Sequence, residues 1–269
     1  PVTFLDEAAR SKIVILIHRR NLMRPSVFLP APGSNQDDIL SKQIITRENE
    51  TRRCYVAKTL VRERFLAIEK DVPIAHGPHK KLRAMRRLQD IRVWEAHWSK
   101  RYWRKYFRKI GKPQERRRAE GKVQAALDAG SMFLSGVILR WVLMHHLSPS
   151  HGFLHQQTTY MSLIYDLMEP YRYMFENAVS EAHSAAPKAS SKVLTANALS
   201  RLKGILDETV YVPCTRQHIR RKNLLHGSVL ALRAYLDGDM RRLVLPVEGV
   251  KAGGRPPKIS YWIPGGEKK

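Results

Sequence analysis

In the stretch Ser162-Leu163-Ile164-Tyr165-Asp166-Leu167-Met168-Glu169-Pro170-Tyr171-Arg172, the apolar residues Leu163, Leu167 and Met168 recur at the spacing of an inward-facing helix side. Asp166 and Glu169 are three apart and share a face of that helix. Two carboxylates side by side repel unless a positive charge neutralises them. Arg172, three beyond Glu169, is one candidate. The other is a hard divalent cation held by oxygen ligands and an imidazole, a ligand set suited to Mg²⁺ or Mn²⁺. His155 lies just upstream of this helix, where it can fold back over it.

Helical periodicity extends outward in both directions. Apolar residues at Leu40, Ile44, Cys54, Ala57, Leu60, Val61, Phe65 and Ile68 predict one long amphipathic helix over 37–70, or two joined near Asn49. A loop follows at Val72 to His79. A helix from Lys81 to Ile110 stops at Gly111-Lys112-Pro113, the Gly-then-Pro order expected past a C-terminus. Val123 to Leu147 is the most apolar stretch, and its Gly130 and Gly136 favour close helix contact, so it is expected to be the central core helix. Ser148 to Gly152 reads as a loop, Ser162 to His183 as helix, and Ser184 to Ser191 as a linker. Thr195 to Val210 and Gln217 to Leu236 read as two further helices.

The ends differ from the middle. Pro1 to Asp6 and Ser11 to His18 read as two short strands, and Pro30, Pro32, Gly33 and Ser34 mark a boundary. From Lys251 the Gly/Pro-rich composition predicts a loosely packed arm. The expected fold is mainly α. Residues 1–34 are the end and remnant of a small amino-terminal β-domain with its linker, 35–250 a helical catalytic domain, and 251–269 a basic carboxy-terminal arm.

The 269 residues carry 48 Lys+Arg against 24 Asp+Glu, a formal charge of +24, which points to a polyanionic partner. The basic residues are spread along the whole chain rather than gathered beside an apolar anchor, which favours nucleic acid over a membrane surface. The aliphatic run Ile13 to Ile17 is far short of the roughly 20 apolar residues that cross a bilayer. Cys54 and Cys214 stand outside any CxxC and read as buried apolar residues in a reducing, cytoplasmic compartment. No phosphate-binding loop, dinucleotide fingerprint or nucleophile elbow is present. His145, His146, His151 and His155 do not form a zinc pattern, since the first two are adjacent and no HExxH or nearby cysteine accompanies them.

In the helix 81–110, Glu95 stands among Arg92, Lys100, Arg101, Arg104, Lys105, Arg108 and Lys109, while Trp94, Trp98, Tyr102 and Tyr106 form a stripe every four residues. Core packing accounts for the stripe, and Ser99 or Lys100 offers Glu95 an intrahelical partner. A lone carboxylate in a phosphate-attracting surface also has the chemistry of a metal ligand.

Three blocks together resemble the CRISPR adaptation integrases. Trp94-Glu95-Ala96-His97-Trp98-Ser99-Lys100-Arg101-Tyr102-Trp103 is similar to the family's glutamate helix ending in Tyr-Trp, Gly152-Phe153-Leu154-His155 to its Gly-Phe-Leu-His block, and Ser162 to Arg172 to its Ser-Leu-x-x-Asp-Leu-Met-Glu-Pro-Phe-Arg signature. The resemblance implies that Glu95, His155 and Glu169 ligate Mg²⁺ or Mn²⁺, with Asp166 a supporting acid behind them or on a second ion. It implies double-stranded DNA as substrate, a homodimer or higher oligomer, and the small adaptation subunit that bridges two integrase dimers as a possible partner. Lys100, Arg101, Arg104, Lys105, Arg108, Lys109, Arg116, Arg117, Arg118, Arg172, Arg220, Arg221, Lys222 and Arg255 are then the expected DNA contacts. The sequence departs from the family in two places: Gly121-Lys122-Val123-Gln124 replaces the usual Asp-Pro-Val-Asn, and only the end of a fuller β-domain is expected before the helices. A transposon-encoded integrase of the same fold and a non-catalytic nucleic-acid-binding protein are the competing readings.

Overall fold

The computed structural model describes residues 2–11, 13–17, 26–28, 38–69, 76–117, 119–250 and 257–268. The elements run α1 (Val2–Arg10), β1 (Ile15–Ile17), β2 (Ser26–Phe28), α2 (Ile39–Glu48), α3 (Glu50–Ala67), α4 (His76–Ala84), α5 (Leu88–Lys109) and α6 (Lys122–Met144). Then follow α7 (Ser162–Met168), a 3₁₀ turn (Glu169–Tyr171), α8 (Tyr173–Ala185), α9 (Ser191–Asp207), β3 (Thr209–Val212), β4 (Gln217–Arg220), α10 (Lys222–Asp237) and β5 (Glu267–Lys268). The architecture is mainly α, as expected.

The apolar α6 forms the centre and packs on α7, α8, α9 and α10. It is the one helix among the described residues long and apolar enough to cross a membrane. Its Gly130 lets α8 approach, since a Cβ there would lie 2.7 Å from Cβ of Phe175. The stripe Trp94, Trp98, Tyr102 and Tyr106 is buried and joins the core, as the packing reading expects. Asn49 divides α2 from α3: it ends the first helix, and its side chain accepts from Arg52 N at 3.0 Å to cap the second.

Several elements differ from expectation for local reasons. Residues 2–10 are helical rather than a strand, because the helix formers Glu7-Ala8-Ala9 and an Asp6–Arg10 ion pair at 2.9 Å outweigh the β-branched Val2-Thr3. Within the expected second strand, Ile15–Ile17 pairs antiparallel with Ser26–Phe28. The helix expected from Lys81 is two: α4 already begins at His76, since Pro78 is tolerated in a first turn. It stops where Lys58 Nζ takes the carbonyls of Arg83 and Met85 at 3.0 and 2.9 Å. The α8 helix continues to Ala185, two residues into the expected linker.

The run Thr209-Val210-Tyr211-Val212 leaves the expected helix to pair with Gln217–Arg220, which was itself expected to open a helix. Residues 257–268 of the expected arm are packed, not loose. Ile263 is fully buried, and β5 pairs with β4. The amide of Gln217 donates to Ile263 O at 2.8 Å and accepts from Ile263 N at 3.1 Å. Gly227 of α10 makes room, for a Cβ there would meet Ile263 and Pro246 at 2.9 Å. Cys54 is buried and Cys214 only partly so, both as free thiols. The boundary at residues 30–34, part of the loop at 72–79 and residues 251–256 of the arm lie outside the described residues.

Where α6 ends, His145 Nε2 faces His226 Nε2 at 2.8 Å, and the His226 ring stacks on Trp141 with centroids 3.6 Å apart. Burial, then Arg233 beside His145 and the His145 ring beside His226, pushes both imidazoles down to about 4 from an ordinary 6.5. One shared proton suits the pair; a second puts two cations in contact. The unfolded chain therefore binds more protons, and stability is lost as pH falls from about 6.5 to about 4. Melting temperatures measured across that window will show the loss, and His145→Gln will flatten it.

Candidate active site

The loop after α6 carries His155 and is held from two sides. From α2, Gln43 Nε2 donates to Ser148 O and His151 O at 3.0 and 2.9 Å, and its Oε1 accepts from Ser148 N at 2.8 Å. Arg47 donates to Gly152 O and Gln156 O at 3.0 and 2.8 Å. From α7, Ser162 Oγ accepts from Gly152 N at 2.9 Å. Gly152 is sterically required there, because a Cβ would lie 2.8 Å from both Asp166 Oδ2 and His155 O.

Asp166 is fully buried beneath this loop. Its Oδ2 accepts from Phe153 N and from Leu154 N at 2.9 Å, and its Oδ1 from His155 N at 3.1 Å and His155 Nδ1 at 2.6 Å. A carboxylate only accepts here, so Nδ1 of His155 carries the proton and Nε2 is the nitrogen left to act. Burial opposes charge on the ring, yet the Asp166 bond outweighs it, with Glu169 and Glu95 adding to the effect; the imidazole is raised above its ordinary value. Asp166, with its oxygens committed to backbone and imidazole, positions His155.

Glu169 starts the 3₁₀ turn, where Pro170 ends the regular helix. Buried almost completely, it pairs with Arg64 of α3 through Oε2 and with Arg172 at 3.0 Å through Oε1. Burial alone would raise its carboxyl, but Arg64 and then Arg172 hold it down at about 2. Arg172 also approaches Glu176 at 3.5 Å, and Glu176 accepts from Tyr102 Oη at 2.7 Å. Glu95 is half-buried and accepts from the Ser99 hydroxyl, the intrahelical partner its spacing allows. It lies within the field of Arg64 as well.

Two carboxylates and an imidazole with one nitrogen fixed by a buried acid are, in kind, the donors of a hard divalent ion. Among the described residues no three acidic, His or Cys side chains stand at metal-ligand spacing. An ion here would share Glu169 with Arg64 and Arg172.

The expected DNA contacts divide in two. Lys100, Arg101, Arg104, Lys105, Arg108, Lys109 and Arg116 are exposed, with Arg101 over the Trp98 ring at 4.7 Å. Arg220 and Lys222 both pair with Asp207. Arg117 is bound to Gln124 at 2.9 Å and Asp128 at 2.7 Å, so Gln124 at the divergent helix start has a structural partner. Arg172 and Arg221 are likewise engaged in ion pairs, Arg221 with Glu208 and Glu248. Those three are braces rather than free surface charges. Arg118 and Arg255 lie outside the described residues.

Sequence reasoning missed Gln43, Arg47 and Arg64. Arg64 had a readable signal: it sits in the apolar register Leu60, Val61, Phe65, Ile68, where a charge needs a buried partner.

The family model described as CRISPR associated protein Cas1 matches residues 2–185. The chain belongs to the Cas1 family. Among solved structures it is similar to a casposase bound to integration product, with TM-score 0.71 and 17% identity over 93% of this chain and 83% of that one. It is also similar to a Cas1 protein from Thermotoga maritima, with TM-score 0.67 and 17% identity over 88% and 82% of the two chains. A TtCas1–DNA complex gives TM-score 0.61 and 18% identity over 93% and 82%. No curated protein matches the sequence. These likenesses show the fold, and the Cas1 match makes the chain an enzyme of the integrase and nuclease kind.

Replacing Arg64 by methionine leaves Glu169 and Glu176 as buried charges with too little compensation. We expect unfolding free energy to fall by about 3–5 kcal/mol in urea denaturation. Arg64→Lys, which keeps the charge, will retain a large part of it.

Proposed function

We propose that this Cas1-type integrase inserts short duplex DNA into the repeat of a CRISPR array, joining 3′-OH ends by metal-dependent transesterification. The reading is carried by the clamp of Asp166 on His155, whose charged form Glu169 and Glu95 also favour. That clamp leaves one defined imidazole nitrogen free, in a chain of charge +24. The reaction needs no protein nucleophile: the attacking 3′-oxygen forms a bond to phosphorus, another 3′-oxygen leaves, and the proton passes from the first to the second. A bound Mg²⁺ or Mn²⁺ would supply acidification of the attacking hydroxyl and neutralisation of the leaving oxygen. His155 Nε2, Glu95 and Glu169 would hold it. Asp166 fixes the imidazole, while Arg64 and Arg172 fix the Glu169 carboxylate. The exposed basic residues of α5 lower the repulsion between donor and target duplexes. A homodimer is proposed because two ends are joined on opposite strands, and the small bridging subunit is proposed as its partner.

A transposon-encoded integrase is the second reading, favoured by the casposase likeness. The two differ in target and donor, and in genomic surroundings: a CRISPR repeat on one side, terminal inverted repeats on the other.

Strand transfer of a labelled 3′-OH duplex into a supercoiled plasmid bearing a CRISPR repeat tests the proposal. Joined product is expected with Mg²⁺ or Mn²⁺ and its loss, by about two orders of magnitude or more, in Glu95→Ala, His155→Ala and Glu169→Ala. Full activity in all three variants would overturn the site; joining only of inverted-repeat ends would favour the second reading.

A further inference from the structure

A cavity of about 540 Å³ opens between the start of α3 and the joint that separates α4 from α5. Its basic lining residues are Arg53, Lys58, Arg86 and Arg87, against a single acid, Glu50. Gln156 also lines it. That residue directly follows His155, so the cavity wall begins one residue, about 3.8 Å of chain, from the proposed ligand.

The charges here are handled unlike the buried bracing cations. Arg64, Arg117, Arg172 and Arg221 each have carboxylate partners. No hydrogen bond or ion pair engages the guanidinium groups of Arg53, Arg86 or Arg87 among the described residues, and Nε of Arg53 is buried without a partner. Lys58 spends its ammonium on the carbonyls of Arg83 and Met85, which fixes the joint without neutralising anything. Burial, and after it the charge of Arg86, pushes the Lys58 ammonium below its ordinary value. Cys54 Sγ reaches Arg86 O at 3.3 Å and pins the same joint to α3. The first turn of α5 forms part of the wall, and Arg87 at its N-cap position provides no side-chain cap.

A concave surface with three guanidinium groups that have no partner among the described residues is a like-charge cluster that an anion would relieve. Its position decides which anion. We propose that this cavity is a backbone-phosphate clamp that grips the DNA strand running past His155, and that Arg53, Arg86 and Arg87 are its donors. The inference rests on the DNA reading above. The clamp positions the strand by its phosphates and reads no bases. It is separate from the exposed basic face of α5, whose residues do not line this cavity.

The test uses the whole protein and a fluorescent duplex with a single-stranded 3′ overhang, titrated across a salt series. Compared are wild type, Arg53→Gln/Arg86→Gln/Arg87→Gln, and Lys100→Gln/Arg104→Gln on the α5 face. The triple variant is expected to bind at least about tenfold more weakly at physiological salt, with a salt slope shallower by about 2–3. Phosphate-ethylation interference near the 3′ end, present in wild type, is expected to vanish in the triple variant and persist in the α5-face variant. Thermal stability should stay level or rise, since the change removes repulsion. Wild-type binding with an unchanged slope and unchanged interference in the triple variant would overturn the clamp and leave the integrase reading standing. Failure of wild type to bind DNA would overturn both.

Discussion

The buried pair of Arg64 and Glu169 is the constraint around which the rest of the molecule is arranged. Neither charge is accessible to water, so each depends on the other for solvation, and the pair joins α3 to the turn between α7 and α8. Arg172 and Glu176 extend the same network along α8, and the Tyr102 hydroxyl brings in α5. Four helical segments therefore meet at one polar knot. A hydrophobic core of similar volume tolerates small shifts, whereas this knot does not, because a displaced partner leaves a charge in a medium of low dielectric. The cost of desolvating the charges is offset only in one geometry, and that geometry fixes the Glu169 carboxylate.

The sequence pairs Asp166 and Glu169 as neighbours that must repel, and the fold separates their fates. Asp166 turns under the loop and is satisfied by three backbone N–H groups and the His155 ring. Glu169 turns toward α3 and is satisfied by two guanidinium groups. Pro170 makes the separation possible, because it ends the regular helix at Glu169 and lets the chain tighten into a 3₁₀ turn. Neutralisation by Arg172 is observed, and it does not compete with the proposed ligand role. A carboxylate held by two cations keeps its position, and it is ionised down to about pH 2, so it is available whenever an ion arrives.

Local signals carried the helices and failed at the joints. The core helix and the loop before His155 were visible from apolar spacing and turn residues close in sequence, and a joint near Asn49 was one of the two readings the spacing left open. The β3–β4 hairpin was hidden because Leu194 to Leu206 repeats with helical period right up to it; only the β-branched cluster at Thr209 to Val212 marked the change. The packed carboxy terminus was illegible for another reason. Among the described residues, Gly227 and Pro246 shape a slot that Ile263 fills, and that complementarity spans distant parts of the chain. At the site, Glu95, His155, Asp166 and Glu169 stood out by residue type, but Gln43, Arg47 and Arg64 act by tying α2 and α3 to residues more than a hundred positions away. No spacing rule encodes such a tie; only a charge in an apolar register hints at one.

The net charge of +24 also has to be divided before it can be interpreted. Part of it is internal: Arg64, Arg117, Arg172 and Arg221 hold elements together and contribute little to an outside partner, because their fields end on nearby carboxylates. What remains includes the exposed row on α5 and the guanidinium groups at the α4–α5 joint, which have no partner among the described residues. Both belong to the stretch of chain around Glu95, and the joint is also adjacent in space to the residue after His155. A polyanion drawn to the unpaired charges is therefore drawn to the carboxylates that would otherwise repel it. A site built from Glu95 and Glu169 could not hold a phosphodiester by itself. The surplus of cations is what makes an acidic site compatible with an acidic substrate, and its placement beside the site, rather than its size, is what bears on the chemistry.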